Sequence, residues 1–311
     1  MKCKRMGSML LCGCLLLLCL AGCGNTVDST HENTAQGSNI PAGSAQAGTP
    51  AADAGKPEPA PQPEAAAPSA AQPAETPTEQ PTESAQNPLP QGEKYMAITF
   101  DDGPTGNEGG RTERLLDGLK ERGVHATFFL CGYRIKDFHS MMGRYLDEGH
   151  EIGNHTTDHI RLDKDTSDGG YAQVSETNDL IASYTGQKPT LMRPTGGAYN
   201  DAVISSMKQL GLPIILWNID TLDWKDHDNA ALIQQRIVEN ARDGAIVLEH
   251  DLYEATVEGV LAAIDELQAQ GYAFVTVSEL AQLKGTTLEP GKVYSGFTPD
   301  DTVVESGANY S

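Results

Sequence analysis

Between Gly92 and Lys284 the chain alternates short β-rich runs with longer amphipathic runs, and this alternation limits what the chain can fold into. The short runs are rich in Ile, Val, Phe and Thr, as in "YMAITF", "VHATFFL" and "AIVLEH", whereas the longer runs repeat apolar residues at helical spacing. Repeated strand–helix units favour a mostly parallel sheet with helices outside it, either open or closed into a barrel. The sequence therefore predicts one α/β domain over residues 93–284.

Polar side chains follow the β-rich runs at the point where each run ends. In parallel α/β folds the carboxyl ends of the strands form the edge at which functional sites are built, so we expect these side chains to meet in one site. Asp101 and Asp102 follow "AITF", His155 follows "EIGN", Arg193 follows "TLM", Asp220 and Asp223 follow "ILWNI", and His250 follows "IVLE".

The adjacent carboxylates of Asp101 and Asp102 precede a Gly-Pro turn. Because side chains alternate along a strand, two neighbouring aspartates at its end cannot share one environment. Two interpretations stay open at this point. The carboxylates have separate functions, or they form an Asx turn, in which an Asp side chain hydrogen-bonds to the turn backbone.

The segment "HTTDH" places His155 and His159 four residues apart, a spacing that lets two imidazoles reach one metal ion. Two surface histidines are the alternative. With an upstream aspartate, an Asp-His-His set that leaves coordination positions open suits a catalytic rather than a structural metal. Arg193 can bind a carboxylate bidentately or form a surface salt bridge, and His250 is a candidate acid whose pKa a nearby carboxylate would raise.

Residues 1–22 have the features of a secretory signal peptide. Three basic residues precede an apolar stretch over residues 9–20, which is too short for an ordinary transmembrane span. The stretch ends in "LAGC", which resembles a bacterial lipoprotein box with Cys23 as the lipid-bearing residue; a plain signal peptide is the alternative. We expect the protein at the extracytoplasmic face of the bacterial cell membrane, bound to that membrane through a lipid on Cys23.

Residues 24–92 contain no Phe, Trp or Tyr and hold 12 of the 18 prolines of the chain. Such a composition cannot bury enough apolar area to offset the entropy of ordering, so we predict a disordered Pro/Ala-rich linker over residues 23–92. Residues 285–311 are predicted to form a C-terminal tail.

The net charge of the chain is −21. Residues 1–22 contribute +3, the linker −7 and the tail −3, which leaves −14 for the domain. A charge of this sign argues against nucleic-acid partners.

Five segments, "TFDDGP", "HTTDH", "MRPTGG", "DTLDW" and "LEH", occur in this order between residues 94 and 282. They resemble the five motifs of the polysaccharide deacetylase (NodB-homology) family. The resemblance implies an α/β fold, a distorted (β/α) barrel of the polysaccharide deacetylase type. It also implies removal of N-acetyl or O-acetyl groups from glycans with a divalent metal, for which we expect Zn²⁺, with Co, Ni or Mn as alternatives.

The resemblance also assigns a role to each motif residue. It implies that Asp101 is the general base, oriented by Arg193, and that Asp102, His155 and His159 bind the metal. It further implies that His250, tuned by Asp223, protonates the leaving amine. The Gly196 backbone N–H would stabilise the oxyanion, and Trp224 and Leu248 would line the acetyl pocket.

Two positions depart from the family pattern. The third motif has Gly196 where the family has an aromatic residue, so a ring that faces the substrate is missing. The fifth motif has Glu249 where an apolar residue is common.

From these features we predict a monomeric enzyme that removes N-acetyl groups from N-acetylglucosamine residues of a cell-envelope glycan, peptidoglycan above all. An O-acetyl esterase acting on xylan or an exopolysaccharide is the alternative enzyme. A glycan-binding pseudoenzyme would have lost a ligand or the base, and a transporter's substrate-binding lipoprotein would lack the metal set.

Overall fold

The computed structural model describes residues 88–106 and 109–301. The predicted signal peptide, Cys23 and residues 24–87 of the predicted linker lie outside the described residues, as do residues 107–108 and 302–311, so the predictions made for them stay predictions. The strands are β1 (Lys94–Gly103), β2 (Thr127–Leu130), β3 (Glu151–Asn154), β4 (Ile214–Ile215), β5 (Ile219–Asp220), β6 (Ile246–His250), β7 (Tyr272–Phe274) and β8 (Val293–Tyr294). The α-helices are α1 (Arg111–Glu121), α2 (Gly132–Phe138), α3 (Met142–Asp147), α4 (Leu162–Asp165), α5 (Tyr171–Thr185), α6 (Asp201–Leu210), α7 (Ala230–Asn240), α8 (Glu254–Gln268) and α9 (Val277–Leu283).

β1 is the longest strand and lies at the centre of the sheet. It pairs in parallel with β2 on one side and β6 on the other, and β7 pairs with its first three residues. With β3 beside β2 and β5 beside β6, the order is β3-β2-β1-β6-β5. Because these strands are parallel, they all end at one edge of the sheet, which we call the carboxyl edge.

Isolated β-bridges and the last strand, β8, extend the sheet towards a closed barrel. Met192 forms parallel bridges with Asn154 and Ile214, β4 pairs in parallel with β8, and Gly296 bridges Ala245 just before β6. The strands therefore surround the core in an irregular ring, in which β4, β5 and β8 are only two residues long. This is the distorted (β/α) barrel that the sequence predicts.

Alternation along β1 and β6 separates the two faces of the sheet. The paired residues Ala97 and Ile246 belong to one apolar cluster, and Phe100 and Val247 belong to the cluster formed with α1 and α8. Because alternate side chains share a face, Thr99, Leu248, Asp101 and His250 lie on the same face as Ala97 and Ile246. Asp101 and His250 are direct cross-strand neighbours there.

Three details differ from the predicted elements. The run "PIILWNI" does not form one strand, since Leu216, Trp217 and Asn218 separate β4 from β5, and the Asn218 side chain accepts the Ile246 N–H. The run "TLMRP" contributes only the bridge at Met192, because the Pro194 that ends it has no N–H to donate. β8 lies beyond the boundary predicted at residue 284 and extends the packed region towards residue 301.

Within residues 88–106 and 109–301, no helix combines the length and the apolar character that a transmembrane helix needs.

Candidate active site

A β-bulge at the end of β1 separates the two adjacent aspartates. Asp101 stays in the ladder between Phe129 of β2 and His250 of β6, and its side chain is buried. The register then skips Asp102, whose backbone is left-handed with a φ of 69°. The two carboxylates therefore point in different directions, which favours separate functions over a simple Asx turn.

Asp102, His155 and His159 form a cluster at the carboxyl edge, which we call the metal cluster. Asp102 Oδ1 lies 2.9 Å from His159 Nε2 and 3.3 Å from His155 Nε2, and one ligand atom from each of the three lies within 4.8 Å of the others. His155 Nδ1 lies 2.7 Å from the Arg193 carbonyl oxygen and donates to it, so Nε2 keeps its lone pair for a ligand.

These distances and atom types fit one divalent ion. Imidazole nitrogen and carboxylate oxygen bind Zn²⁺ at about 2.0–2.2 Å, so neighbouring ligand atoms of one ion lie roughly 3–3.5 Å apart. Three of the four non-glycine residues with positive φ among the described residues belong to this segment pair: Asp102, Thr156 and His159. Strained backbone of this kind persists where the surrounding structure fixes it and clusters at functional sites.

The charges of the metal cluster favour a cation. Burial raises the pKa of Asp102, but hydrogen bonds from His155 and His159 outweigh burial and hold that pKa well below its usual range. Burial lowers the pKa of His155, and the charges of Asp101 and Asp102 outweigh it and raise that pKa. The carboxylates thus create a negative potential at the position where the two imidazole rings converge.

Arg193 is completely buried and holds Asp101. Its Nη1 donates to Asp101 Oδ1 and to Thr99 Oγ1, both at 2.7 Å, and its other nitrogens donate to the carbonyl oxygens of Ile215 and Leu216. Burial lowers the pKa of Arg193 from its ordinary value. The structure therefore contradicts the surface salt bridge left open for this residue. The alternative, a bidentate contact, is wrong as well, because Nη1 alone contacts Asp101 and does so at Oδ1, while Nε and Nη2 donate to the backbone. The second oxygen, Asp101 Oδ2, lies 3.6 Å from His155 Nε2, beside the metal cluster.

His250 and Asp223 form a second polar pair on the same edge. Asp223 is buried, and its Oδ1 accepts a hydrogen bond from His250 Nδ1 at 2.8 Å. Burial alone lowers the pKa of His250, but the hydrogen bond and charge of Asp223, with the charges of Asp101 and Asp102, raise it to about 9. The ring is therefore an imidazolium at neutral pH, and its Nε2–H is left for other partners.

The comparison with known proteins is consistent with this geometry. Residues 89–215 match the family model described as polysaccharide deacetylase. A peptidoglycan-N-acetylglucosamine deacetylase of Bacillus cereus is 36% identical over 201 residues, which are 63% of this chain and 92% of that protein.

The chain belongs to the polysaccharide deacetylase family.

Two longer members of the family are similar as well. The peptidoglycan-N-acetylglucosamine deacetylase PgdA of Listeria monocytogenes is 40% identical over 207 residues, 67% of this chain and 42% of that one. The peptidoglycan-N-acetylmuramic acid deacetylase PdaC of Bacillus subtilis is 38% identical over 192 residues, 62% of this chain and 40% of that one. The chain thus spans less than half the length of these two relatives.

Solved structures of family members share the fold. The structure of PdaC has a TM-score of 0.58 at 38% identity, covering 62% of this chain and 92% of that chain. A family 4 acetyl xylan esterase from Clostridium thermocellum, in complex with a cobalt ion, has a TM-score of 0.59 at 31% identity and covers 65% and 98%. The prediction of a polysaccharide deacetylase barrel is confirmed.

The residues predicted to contact substrate lie around the two polar pairs of this deacetylase-family domain. Leu248 precedes His250 by two residues on β6 and is buried on the same face. Trp224 is 52% exposed, and its backbone N–H donates to Asp223 Oδ1. Gly196 is exposed, with a φ of 63°, and within the described residues its N–H donates no hydrogen bond.

Sequence reasoning missed Asp251, which braces the end of β1. Its buried carboxylate accepts a hydrogen bond from Thr112 Oγ1, which in turn accepts the Thr105 N–H at 2.8 Å. A Cβ atom at Gly103 would lie 3.0 Å from Asp251 Oδ1, so the carboxylate packs directly on the backbone after Asp102. Burial raises the pKa of Asp251 to about 6. The only signal in the sequence is its position directly after His250.

Glu249, the departure in the fifth motif, is buried on the face opposite His250. Both of its carboxyl oxygens lack a hydrogen-bond partner among the described residues. Burial, and then the charge of Asp223, raises its pKa well above the ordinary value of 4.5. Both effects favour the neutral form of Glu249, whose side chain lies on the face of β6 opposite His250.

Proposed function

We propose that this protein is a metal-dependent hydrolase that removes N-acetyl groups from N-acetylglucosamine residues of peptidoglycan. One observation carries the proposal: a carboxylate held by a buried arginine and an imidazolium held by a buried aspartate are cross-strand neighbours beside a three-residue metal cluster. A base and an acid next to a cation site are the groups that amide hydrolysis requires.

Asp102, His155 and His159 would hold the divalent cation, and Zn²⁺ is the ion we propose. When bound, such an ion supplies Lewis-acid chemistry, which polarises a carbonyl oxygen and acidifies water. The cobalt ion of the xylan esterase structure supports a divalent ion for this fold and leaves its identity in this chain a proposal.

Asp101 is the proposed general base. Its Oδ1 is engaged by Arg193, so Oδ2, on the side of the metal cluster, accepts the proton of the attacking water. Arg193 fixes the carboxylate in one orientation, because the guanidinium has three further acceptors that hold it in place.

His250 is the proposed general acid. Its Nδ1–H is fixed on Asp223, so Nε2–H donates a proton to the amine nitrogen as the carbon–nitrogen bond breaks. The Gly196 N–H would donate to the carbonyl oxygen, which gains negative charge in the transition state. Leu248 and Trp224 would contact the acetyl methyl group.

Peptidoglycan is the proposed substrate because the similar curated relatives are named for it. The alternative, an O-acetyl esterase acting on xylan or an exopolysaccharide, is supported by the likeness to the acetyl xylan esterase, and the same base and acid would serve an ester. A pseudoenzyme that only binds glycan is less compatible with a chain that retains the base, the acid and all three ligands.

The deciding experiment measures acetate release from peptidoglycan, from N-acetylglucosamine oligomers and from acetyl xylan, side by side. We expect release from the first two and none above background from the third. Release from acetyl xylan alone would replace the proposal with the esterase, and release from none of them, with ligand binding intact, would favour the pseudoenzyme.

We also propose that the protein is exported and held at the extracytoplasmic face of the membrane by a lipid on Cys23, and that it acts as a monomer. The motif "LAGC" supports the anchor. Replacing Cys23 with Ala should abolish labelling by a radioactive fatty acid, and label retained in the variant would refute the anchor. Light scattering of the purified domain tests the monomer.

A further inference from the structure

The first turn of α2 is fastened to both loops that carry the metal cluster. Three successive backbone N–H groups donate to carbonyl oxygens of those loops, so the side chains of this turn have a fixed position beside the cluster. The bonds run from Cys131 to Gly103 (3.1 Å), from Gly132 to Thr156 (3.0 Å) and from Tyr133 to Thr157 (2.9 Å).

Tyr133 and Arg134 in this turn form an aromatic–cation pair at the carboxyl edge. Tyr133 is 38% exposed and is one of the four large hydrophobic side chains of the described residues that are exposed. Arg134 Nε donates to Tyr133 Oη at 3.1 Å, and its guanidinium carbon lies 5.3 Å from the ring centroid. The pair thus presents a planar ring and a positive charge at the rim of the site.

Arg134 forms no ion pair with a carboxylate among the described residues, although the domain is strongly acidic and the charge of Arg134 acts on the buried carboxylate of Asp251 from a distance. Arg134 makes its polar contact with the neutral Tyr133 instead. Six other arginines of the described chain do form ion pairs with carboxylates: Arg114, Arg122, Arg144, Arg161, Arg193 and Arg236.

A second arginine that forms no ion pair with a carboxylate of the described residues lies on the same edge. Arg111 begins α1, directly after the loop that follows Asp102, and its Nη2 lies 3.4 Å from Thr105 Oγ1. In a protein with an excess of carboxylates, arginines left unneutralised at the rim of a site indicate an anionic ligand, for which the planar guanidinium is suited.

We propose that Tyr133 and Arg134 form a subsite for a carboxylate-bearing sugar of the glycan, in which the guanidinium binds the carboxylate and the ring packs on the sugar face. This inference rests on the proposed function and narrows its substrate class. The glycan is one in which acetylated amino sugars are linked to acidic units, rather than a neutral chitin or xylan. The carboxylate is either that of a lactyl ether on the sugar or that of an attached peptide, and both present the same chemistry.

The test compares Arg134→Gln with the wild type on three substrates. These are a neutral N-acetylglucosamine oligomer, glycan strands that carry lactyl carboxylates without peptides, and peptide-bearing strands. We expect KM for the acidic strands to rise about three- to tenfold at low salt, with less effect at high salt, while KM for the neutral oligomer and kcat on all three stay within about twofold. Because an attached peptide converts the lactyl carboxylate into an amide, a rise confined to the peptide-free strands assigns the lactyl carboxylate. A rise with peptide-bearing strands alone assigns a carboxylate of the peptide, and a rise with both means that the guanidinium binds either carboxylate.

Two further variants serve as controls. Arg134→Lys keeps the charge and should restore part of the lost affinity. Arg114→Gln removes an exposed arginine whose charge Glu254 already neutralises, so its KM values should equal those of the wild type. An Arg134→Gln enzyme that loses affinity equally for neutral and acidic glycans, or for none of them, overturns the subsite.

A binding experiment keeps the subsite separate from the proposed function. Calorimetric titration of lactyl-bearing strands into Asp101→Asn protein, with and without Arg134→Gln, measures affinity without turnover. If wild-type protein released no acetate while Arg134→Gln still weakened this binding, the proposed hydrolysis would fail and the subsite would stand. Equal affinity of the two proteins would overturn the subsite.

Discussion

Asp223 accepts two hydrogen bonds from the same residue, His250: one from its ring Nδ1 at 2.8 Å and one from its backbone N–H at 2.7 Å. Thr256 Oγ1 and the Trp224 N–H complete the four bonds of this buried carboxylate. The imidazole therefore cannot turn independently of the strand that carries it, so its Nε2 keeps one direction. An acid fixed in this way requires no reorganisation before proton transfer.

The pair predicts the alkaline limit of activity. The pKa of His250 is raised from 6.5 to about 9, so the acid is fully protonated below pH 6.5 and loses its proton as the pH rises through about 9. Acetate release should fall across that limit. Asp223→Asn removes the charge that raises the pKa and should move the alkaline limb down by at least about one pH unit. A pH–rate profile of kcat checks this, and a limb that stays in place would remove His250 from the role of acid.

Because the bulge in β1 separates Asp101 from Asp102, we expect substitutions of the two aspartates to have different effects on rate and on metal content. Asp101→Asn should keep metal content near that of the wild type and lose at least ~10²-fold in rate, because the proton acceptor is gone. Asp102→Ala should lose bound metal, and excess Zn²⁺ or Co²⁺ should restore part of its activity. Metal analysis of dialysed protein beside acetate release distinguishes them. Equal metal loss and equal recovery in both variants would contradict the division.

Asp251 and Thr112 should affect metal binding without touching the metal. Thr112→Val breaks the connection from Asp251 to the Thr105 N–H, so the segment after Asp102 loses its brace. We expect the metal affinity, measured by chelator competition, and kcat each to fall about tenfold. Thr112→Ser keeps the hydroxyl and should recover both. A valine variant that only lowers the melting temperature would make the brace purely structural.

Glu249 should cost stability. Glu249→Leu removes a buried acid that has no hydrogen-bond partner among the described residues, and it should raise the free energy of unfolding by about 1–3 kcal/mol at pH 7. The pKa of Glu249 in the folded protein lies above 4.5, so above pH 4.5 this residue ionises in the unfolded chain before it does so in the folded one. Ionisation therefore lowers the stability of the wild type as the pH rises, and the stability difference between Glu249→Leu and the wild type should be smaller at pH 4 than at pH 7. Glu151→Leu is the control. Glu151 accepts bonds from Thr127 and Ser278, so its loss should destabilise the protein. Denaturant unfolding of both variants decides.

Substitutions at Gly196 test the effect of the aromatic ring that the third motif lacks in this chain. A Cβ atom there meets only Arg161 Cδ, at 3.9 Å, so a side chain has room, but the left-handed backbone costs a non-glycine residue about 1–2 kcal/mol. Gly196→Tyr should lower KM for a short N-acetylglucosamine oligomer roughly two- to tenfold by ring stacking, with kcat within about tenfold. Gly196→Ala carries the same backbone cost without the ring and should leave KM unchanged. A collapse of kcat in both would mean that the proposed oxyanion donor needs glycine.

The sequence predicted the barrel because strands and helices are encoded locally. Apolar runs that end in polar residues predicted which side chains lie together at the carboxyl edge, and the spacing of His155 and His159 indicated a candidate metal site. The roles assigned to individual residues stay predictions until the variants above are measured.

The features that could not be predicted from the sequence depend on contacts between segments that are distant in the chain or on strands too short to recognise. The brace by Asp251 requires β6 to lie beside β1, and the burial of Arg193 requires β1 to lie near the segment of residues 192–216. β8 was missed because a two-residue strand has no periodicity to detect. Glu249 was noticed as a departure, but only alternation along β6 puts it on the apolar face.

The direction of β1 has a mechanical consequence. Lys94 begins the strand and Asp102 lies near its end, and ten residues at about 3.3 Å each separate the two ends by roughly 30 Å. Any pull on the chain upstream of Lys94 is therefore applied at the edge of the barrel remote from the two carboxylates. A long polymer can cross the carboxyl edge and continue in both directions without meeting the point at which the polypeptide joins the barrel. For the polymeric substrate proposed above, we therefore expect the domain to act at interior positions of an extended strand.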